Sequence, residues 1–337
     1  MKIDILYIGN HLEKSLGYKT AHEVLADHLR QEGFRVAQYS SVKNKFFRMA
    51  DMIYGFFRHI RASYILIDLY STSNFYYALI TGFLANIFRK KYILILHGGN
   101  LPERWKRNPY LTGFLLRNAY INVAPSAYLK SFFKEKGFDV VFIPNPLPIE
   151  QYIFKDRQNF RPYLLWVRAF ARHYRPEMAV EVLHRLKQKY PEAKLCMIGP
   201  VKDESFDITK QKVRQYGLEN AVEFTGALSK SQWHAKAREF DFFINTTDVD
   251  NAPVSVTEAM ALGLAVVSTN AGGLPFLLKD KEDAMLVDTN DPDAMAGRIE
   301  QLTENPGLAR KMIRIARKKA ENLDWKVIRK KWFDILK

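Results

Sequence analysis

Asp250 and Glu258 stand eight positions apart in the stretch 245–273, NTTDVDNAPVSVTEAMALGLAVVSTNAGG. Asp250 and Asn251 belong to a polar loop, and Pro253 sits where a helix can begin. Ser255 occupies the expected N-cap, residues 256–262 are helix-compatible, Gly263 supplies the stop, and 264–267 suits a short buried parallel strand. Glu258 then falls about one turn into the helix, so both carboxylates can face the space before its N-terminus, a place for an anion or a sugar hydroxyl. Simpler readings stand beside this one: Glu258 can satisfy its own helix start, and Asp250 can cap it. Cations recur at Arg168, Arg172 and Arg175, after the apolar run 164–167. His97 ends another such run and precedes Gly98 and Gly99, which let backbone approach a ligand closely; Gly272 and Gly273 form a second glycine loop.

The elements that must position these groups alternate. Apolar runs at 2–8, 34–39, 64–69, 92–96, 120–123 and 140–143 are separated by helical stretches, which predicts a parallel sheet covered on both faces. Pro144, Pro146 and Pro148 interrupt the pattern and mark a boundary. It restarts at 164–167, 193–198, 222–224, 241–244, 264–267 and 284–287, with helices from 291 to the end. The expectation is an α/β protein of two doubly wound domains facing a cleft, with ligand at the carboxyl ends of the strands. The domains are expected at 1–148, joined by a C-terminal helix at about 322–337, and at 160–320, with 149–159 as linker.

Composition narrows the class. The chain has 337 residues, 47% hydrophobic and 26% charged, an ordinary globular make-up. Its single cysteine, Cys196, excludes an intramolecular disulfide and reads as a small core residue. The N-terminus lacks the apolar core of a signal peptide, and the longest apolar run, 76–88, is too short to cross a bilayer, so a cytoplasmic protein is expected.

In their order and spacing, the landmarks resemble the retaining, GT-B-fold glycosyltransferases of sequence family 4, also described as glycosyl transferases group 1. They are the Asp250 and Glu258 pair followed by 259–263 (AMALG), WVRAF around Arg168, Met197-Ile198-Gly199-Pro200, Phe224-Thr225-Gly226, 271–275 (AGGLP), His97-Gly98-Gly99 and Ile143-Pro144-Asn145. Two departures are visible: the first acid is Asp250 where the family usually has Glu, and the lysine that usually follows the arginine is replaced locally by Arg172, His173 and Arg175.

The resemblance implies a transferase moving a hexose-type sugar from a nucleoside diphosphate sugar to a saccharide or lipid-linked hydroxyl, in cell-surface polysaccharide or glycolipid synthesis. It assigns Arg168, with Arg172 or Arg175 and the amides of Gly272 and Gly273, to the leaving diphosphate. Glu258 takes the ribose hydroxyls, Asp250 and Asn251 the donor sugar, and His97 a further donor contact; Gly17 lies where acceptor and diphosphate meet. No metal ligand set and no cofactor are expected. The alternatives are a GT-B-like sugar-nucleotide epimerase or phosphorylase, an inactive sugar-nucleotide-binding relative, and a basic nucleic-acid-binding protein. The last explains the net charge of +15 but not the paired carboxylates, and zinc, helix-turn-helix and RNP-type signatures are lacking.

The positive charge is denser in the first half. Residues 43–61, KNKFFRMADMIYGFFRHIR, carry five basic residues, one acid and four phenylalanines, and Arg104, Lys106 and Arg107 surround Trp105. Interleaved basic and aromatic residues suit an anionic membrane surface, at about 1 kcal/mol per Lys or Arg near it. The alternative is a sheet-covering helix with its aromatics turned inward.

Overall fold

A computed structural model of the chain describes residues 4–9 and 20–336. It divides into two compact units, one of residues 1–146 with 325–337 and one of residues 147–324. The first holds a six-stranded parallel sheet of β1 (Ile5–Ile8), β2 (Val36–Tyr39), β3 (Tyr64–Leu69), β4 (Tyr92–Leu96), β5 (Ile121–Ala124) and β6 (Val141–Phe142), in the order β2-β1-β3-β4-β5-β6. Alternate residues of each strand serve opposite faces, which is why these runs are largely apolar, with Gln38, Asp68 and Asn122 as exceptions. Leu6, Ile8, Ile67 and Leu94 enter one core with Met52 and Phe56, while Ile5, Tyr7, Leu66 and Ile93 enter the other.

The helix Trp325–Ile335 closes that second face with Trp325, Ile328 and Trp332 and belongs to the first unit. The preceding basic helix, Pro306–Glu321, belongs to the second unit.

The second unit repeats the plan with β7 (Tyr163–Val167), β8 (Lys194–Ile198), β9 (Val222–Gly226), β10 (Phe242–Asn245), β11 (Ala265–Thr269) and β12 (Met285–Val287), in the order β12-β11-β10-β7-β8-β9. All twelve apolar runs contain strands: 64–69 and 92–96 match theirs at both ends, and among the described residues the other ends shift by at most two residues. Cys196 is fully buried, and burial pushes its thiol up to about 12.

Residues 149–159, expected as a linker, are built into this unit. Tyr152 is 2% exposed, and the buried Arg157 guanidinium donates to the carbonyls of Ala237, Phe240, Leu262 and Gly263. Prolines end regular structure, but the backbone carbonyls at strand and helix ends still require donors, and Arg157 supplies several from one side chain. Burial lowers its pKa to about 10, and Asp241 at 3.4 Å opposes that shift.

Candidate functional site

In each sheet the chain starts at an inner strand and reverses direction across it, between β1 and β3 in the first and between β7 and β10 in the second. Connections leave such a point on opposite faces and open a crevice at the carboxyl ends of the strands. Some of the groups singled out by sequence lie near these two places.

In the second unit, Arg168 follows β7, and its Nη2 donates to Asp250 Oδ2 at 2.5 Å. Tyr174 lies under the guanidinium, 4.9 Å from ring centre to Cζ, and Asn245 at the end of β10 accepts from Nε at 3.5 Å. The side chains are 13% and 16% exposed, so this pair is largely desolvated.

The Asp250 loop is held from behind by the second glycine loop. The Gly273 N–H donates to the Asp250 carbonyl at 2.8 Å, and a Cβ on Gly273 would lie 1.8 Å from the Asn251 carbonyl oxygen. Gly272 adopts φ +56°, with its Cβ position 2.3 Å from the Asp250 carbonyl oxygen. These glycines are therefore required by backbone packing, and the Gly273 amide assigned to a diphosphate is committed inside the loop. Asn251 is 6% exposed in the same contact, and its N–H donates to Asp250 Oδ1 at 2.8 Å.

The helix after this loop runs Val254–Ala261, two residues earlier than expected. Pro253 occupies the N-cap, its carbonyl accepting from Val256 and Thr257, and Ser255 lies inside the first turn. The proline's fixed φ starts the helix directly, leaving no capping role to Ser255.

Glu258 does not cap its own helix. Its buried Oε1 accepts from the Tyr152 phenol at 2.7 Å and lies 2.8 Å from Lys230 Nζ, while Oε2 takes part in neither contact. Burial first, then the Glu258 charge, pushes the Tyr152 phenol well above its usual range. The His234 ring lies 4.6 Å from Tyr152, and burial depresses its pKa against the pull of Glu258.

Neither Tyr152 nor Lys230 carried a sequence signal. Tyr152 lies in the proline-interrupted segment, and Lys230 reads as the first residue of a helix capped by Ser229. Arg172 and Arg175 find partners elsewhere: Arg172 is exposed and pairs with Glu204, and Arg175 pairs with Asn290 and, at 3.1 Å, with Glu177. Neighbouring groups thus hold both arginines, and Lys230 is the cation brought onto the Glu258 carboxylate.

In the first unit, His97 follows β4, and its Nε2 lies 3.0 Å from Asp68 Oδ1. Asp68, on β3, was not anticipated, because inside an apolar run it reads as an isolated charge. Its carboxylate also accepts from the Tyr7 phenol at 3.0 Å and lies 3.0 Å from His22 Nδ1. Burial alone would raise the Asp68 pKa, but His97 and His22 outweigh it and hold the carboxyl well below the usual range. A Cβ on Gly9 would lie 2.3 Å from both Asp68 Oδ2 and His22 Nδ1, so only glycine fits beside this cluster. Gly17 lies outside the described residues.

Comparisons with known proteins bear on the family and the fold. Residues 150–319 match the family described as glycosyl transferases group 1. Among curated proteins, the chain is similar to the putative colanic acid biosynthesis glycosyltransferase WcaL of Salmonella typhimurium, 32% identical over 27% of this chain and 24% of that protein. The Escherichia coli protein of the same description is 29% identical over 38% of this chain and 32% of its own length. The chain thus matches about a quarter to a third of these relatives. Among solved structures, Anabaena Alr3699/HepE in complex with UDP aligns with a TM-score of 0.77 at 16% identity, covering 100% of this chain and 99% of that one. A sucrose-phosphate synthase from Thermosynechococcus elongatus aligns at 0.81 and 15%, over 99% and 98%. These likenesses establish the GT-B fold, and with half the sequence matched by the family's own pattern, the chain belongs to the glycosyl transferases group 1 family.

Proposed function

We propose that this chain transfers a hexose-type sugar, with retention, from a nucleoside diphosphate sugar to a hydroxyl of a saccharide or lipid-linked acceptor at an anionic membrane surface. The observation that carries the reading is the Arg168–Asp250 pair at the reversal point of the second sheet, in the same unit as the buried Glu258 carboxylate. Two likenesses support a sugar-nucleotide donor and a polysaccharide product: to the putative colanic acid biosynthesis glycosyltransferases, and to the fold of Anabaena Alr3699/HepE, solved in complex with UDP-glucose.

The chemistry follows from the donor. The bond between the anomeric carbon and the diphosphate oxygen breaks as the acceptor oxygen bonds that carbon on the same face, and the acceptor proton passes to the departing diphosphate. Negative charge grows on the leaving group, so fixed cations accelerate the step. Arg168 takes this role in the proposal, with Lys230 as a second cation. At rest Asp250 occupies the guanidinium, so a diphosphate must share or displace it, which frees the Asp250 carboxylate for donor-sugar hydroxyls. Glu258, oriented by Tyr152 and Lys230, accepts from the ribose through Oε2. Asp68 orients His97, proposed as a contact to the donor sugar.

The test is a melting-temperature panel with UDP-, GDP- and ADP-sugars. A site ligand at about 100 times its dissociation constant adds about 2.7 kcal/mol of stability. One nucleotide series should raise the melting temperature, and Glu258→Gln should abolish the response. No response to any donor overturns the reading.

A further inference from the structure

The helix Phe75–Ile87 in the first unit contains no charged residue. Its inner face is made by Phe75, Ala78, Thr81, Gly82 and Ala85, all buried. Its outer face should then be polar, because a helix apolar all round is normally a covered one. Instead Tyr76, Ile80, Phe83 and Ile87, spaced by four, three and four, form an apolar stripe, with Phe83 51% and Ile87 55% exposed.

The helix Lys45–Arg58 lies alongside in the same direction. Tyr77 donates to the Lys45 carbonyl at one end, and Phe57 meets Phe88 at 5.6 Å at the other. This neighbour exposes Phe46 to 86%, Phe47 to 70%, and also Tyr54 and Phe57, so only part of its aromatic set turns inward. Among the described residues, nine of the eighteen exposed large hydrophobic side chains fall between positions 46 and 88. The charges around this face are basic. Lys43, Lys45, Arg58 and Arg61 border one helix and Arg89 and Lys90 follow the end of the other, against a single acid on either helix, Asp51.

We propose that this two-helix face docks on an anionic phospholipid surface, with Ile80, Phe83, Ile87, Phe46 and Phe47 entering the headgroup boundary and the basic border meeting lipid phosphates. The proposal rests on the membrane-side reading above and deepens it by assigning the contact surface, including a helix outside the basic segment 43–61. Charge selects this occupant: a second copy of the chain would bring the same positive border against itself, whereas an anionic surface complements it. None of the helices among the described residues is long and apolar enough to cross a membrane. Docking is therefore lateral, the mode expected for an apolar face with a cationic rim.

The experiment is flotation with vesicles of phosphatidylcholine containing phosphatidylglycerol and with phosphatidylcholine alone. The full chain should float with the anionic vesicles, remain behind with the neutral ones, and be released at high salt, as the screening length falls from about 10 Å at 0.1 M to about 3 Å at 1 M. Ile80→Ser, Phe83→Ser and Ile87→Ser combined should lower the bound-to-free ratio by about tenfold or more. If that variant melts early, Phe46→Ser with Phe47→Ser serves instead. Failure to float with anionic vesicles, equal binding to neutral ones, or unchanged binding of both variants overturns the proposal. So does a dimer in sedimentation that the substitutions dissolve, since a second copy would then cover the face. The donor panel keeps the two readings apart: a chain stabilised by a UDP-sugar that ignores vesicles defeats only the docking, and one that floats without responding to donors defeats the transferase.

Discussion

Replacing Arg168 with alanine tests stability and chemistry in a single set of variants. Exposed ion pairs contribute about 0–1 kcal/mol, whereas stripping a partner from a fully buried pair costs about 3–5 kcal/mol. With side chains 13% and 16% exposed, the Arg168–Asp250 pair sits between these limits. Arg168→Ala, which also gives up the Tyr174 stacking, should therefore cost about 1–3 kcal/mol. In a unit of this size that lowers the melting temperature by about 2–4 °C per kcal/mol.

A double-mutant cycle of Arg168→Ala and Asp250→Ala should return a coupling of about 1–2 kcal/mol, because the double variant no longer carries a lone buried charge. Transfer from a UDP-sugar, followed as released UDP, should slow by about 10²–10³ in Arg168→Ala, the usual cost of one preorganised donor to a growing negative charge. Asp250→Asn keeps the loop's shape but releases the guanidinium. It should tighten UDP binding by up to about tenfold while lowering kcat, because the pair no longer has to open. Additive stability changes would refute the contact, and full transfer by purified Arg168→Ala would remove Arg168 from the mechanism. Weaker UDP binding in Asp250→Asn would refute competition between the carboxylate and the diphosphate.

Two further outcomes follow from the Glu258 cluster. Tyr152→Phe removes a 2.7 Å bond to a buried carboxylate and should cost about 1.5–3 kcal/mol in thermal or urea unfolding, with weaker nucleotide binding; unchanged melting would show that the bond contributes nothing. His234 has its pKa depressed by burial, so the unfolded chain takes up this proton at higher pH than the folded one. Stability is full above the ordinary histidine value of about 6.5 and falls as pH drops through it towards the folded value, by at most about 1.36 kcal/mol per unit for one proton. His59 shifts in the same sense, so the comparison to make is His234→Asn against the unmodified chain, and an unchanged pH slope in the variant would contradict this account.

Much of the architecture was legible along the chain because it rests on local signals. Each strand is a short apolar run bounded by breakers, and the alternation with helical stretches dictates parallel sheets whatever the remaining contacts do. The His97, Arg168 and acidic-loop landmarks were legible for a related reason: backbone turns and glycine loops impose residue types at fixed local spacing. Where local rules competed, as at Pro253 and Ser255, the proline's φ prevailed over the capping preference and moved the helix start.

The partners inside the site were not legible. Arg168 and Asp250 are 82 positions apart, Tyr152 and Glu258 are 106, and His22 and Asp68 are 46. Nothing in residue types selects Lys230 over Arg172 or Arg175 for a place beside Glu258, nor marks Asp68 as the group that unites two imidazoles. Those choices follow from strand order, which sets β7 against β10 and β1 against β3 and so decides which loops share a crevice. The exposed stripe on Phe75–Ile87 was hidden in the same way: the sequence alone presents an apolar segment, and only the packing of its small residues against the sheet determines which side is left to the solvent.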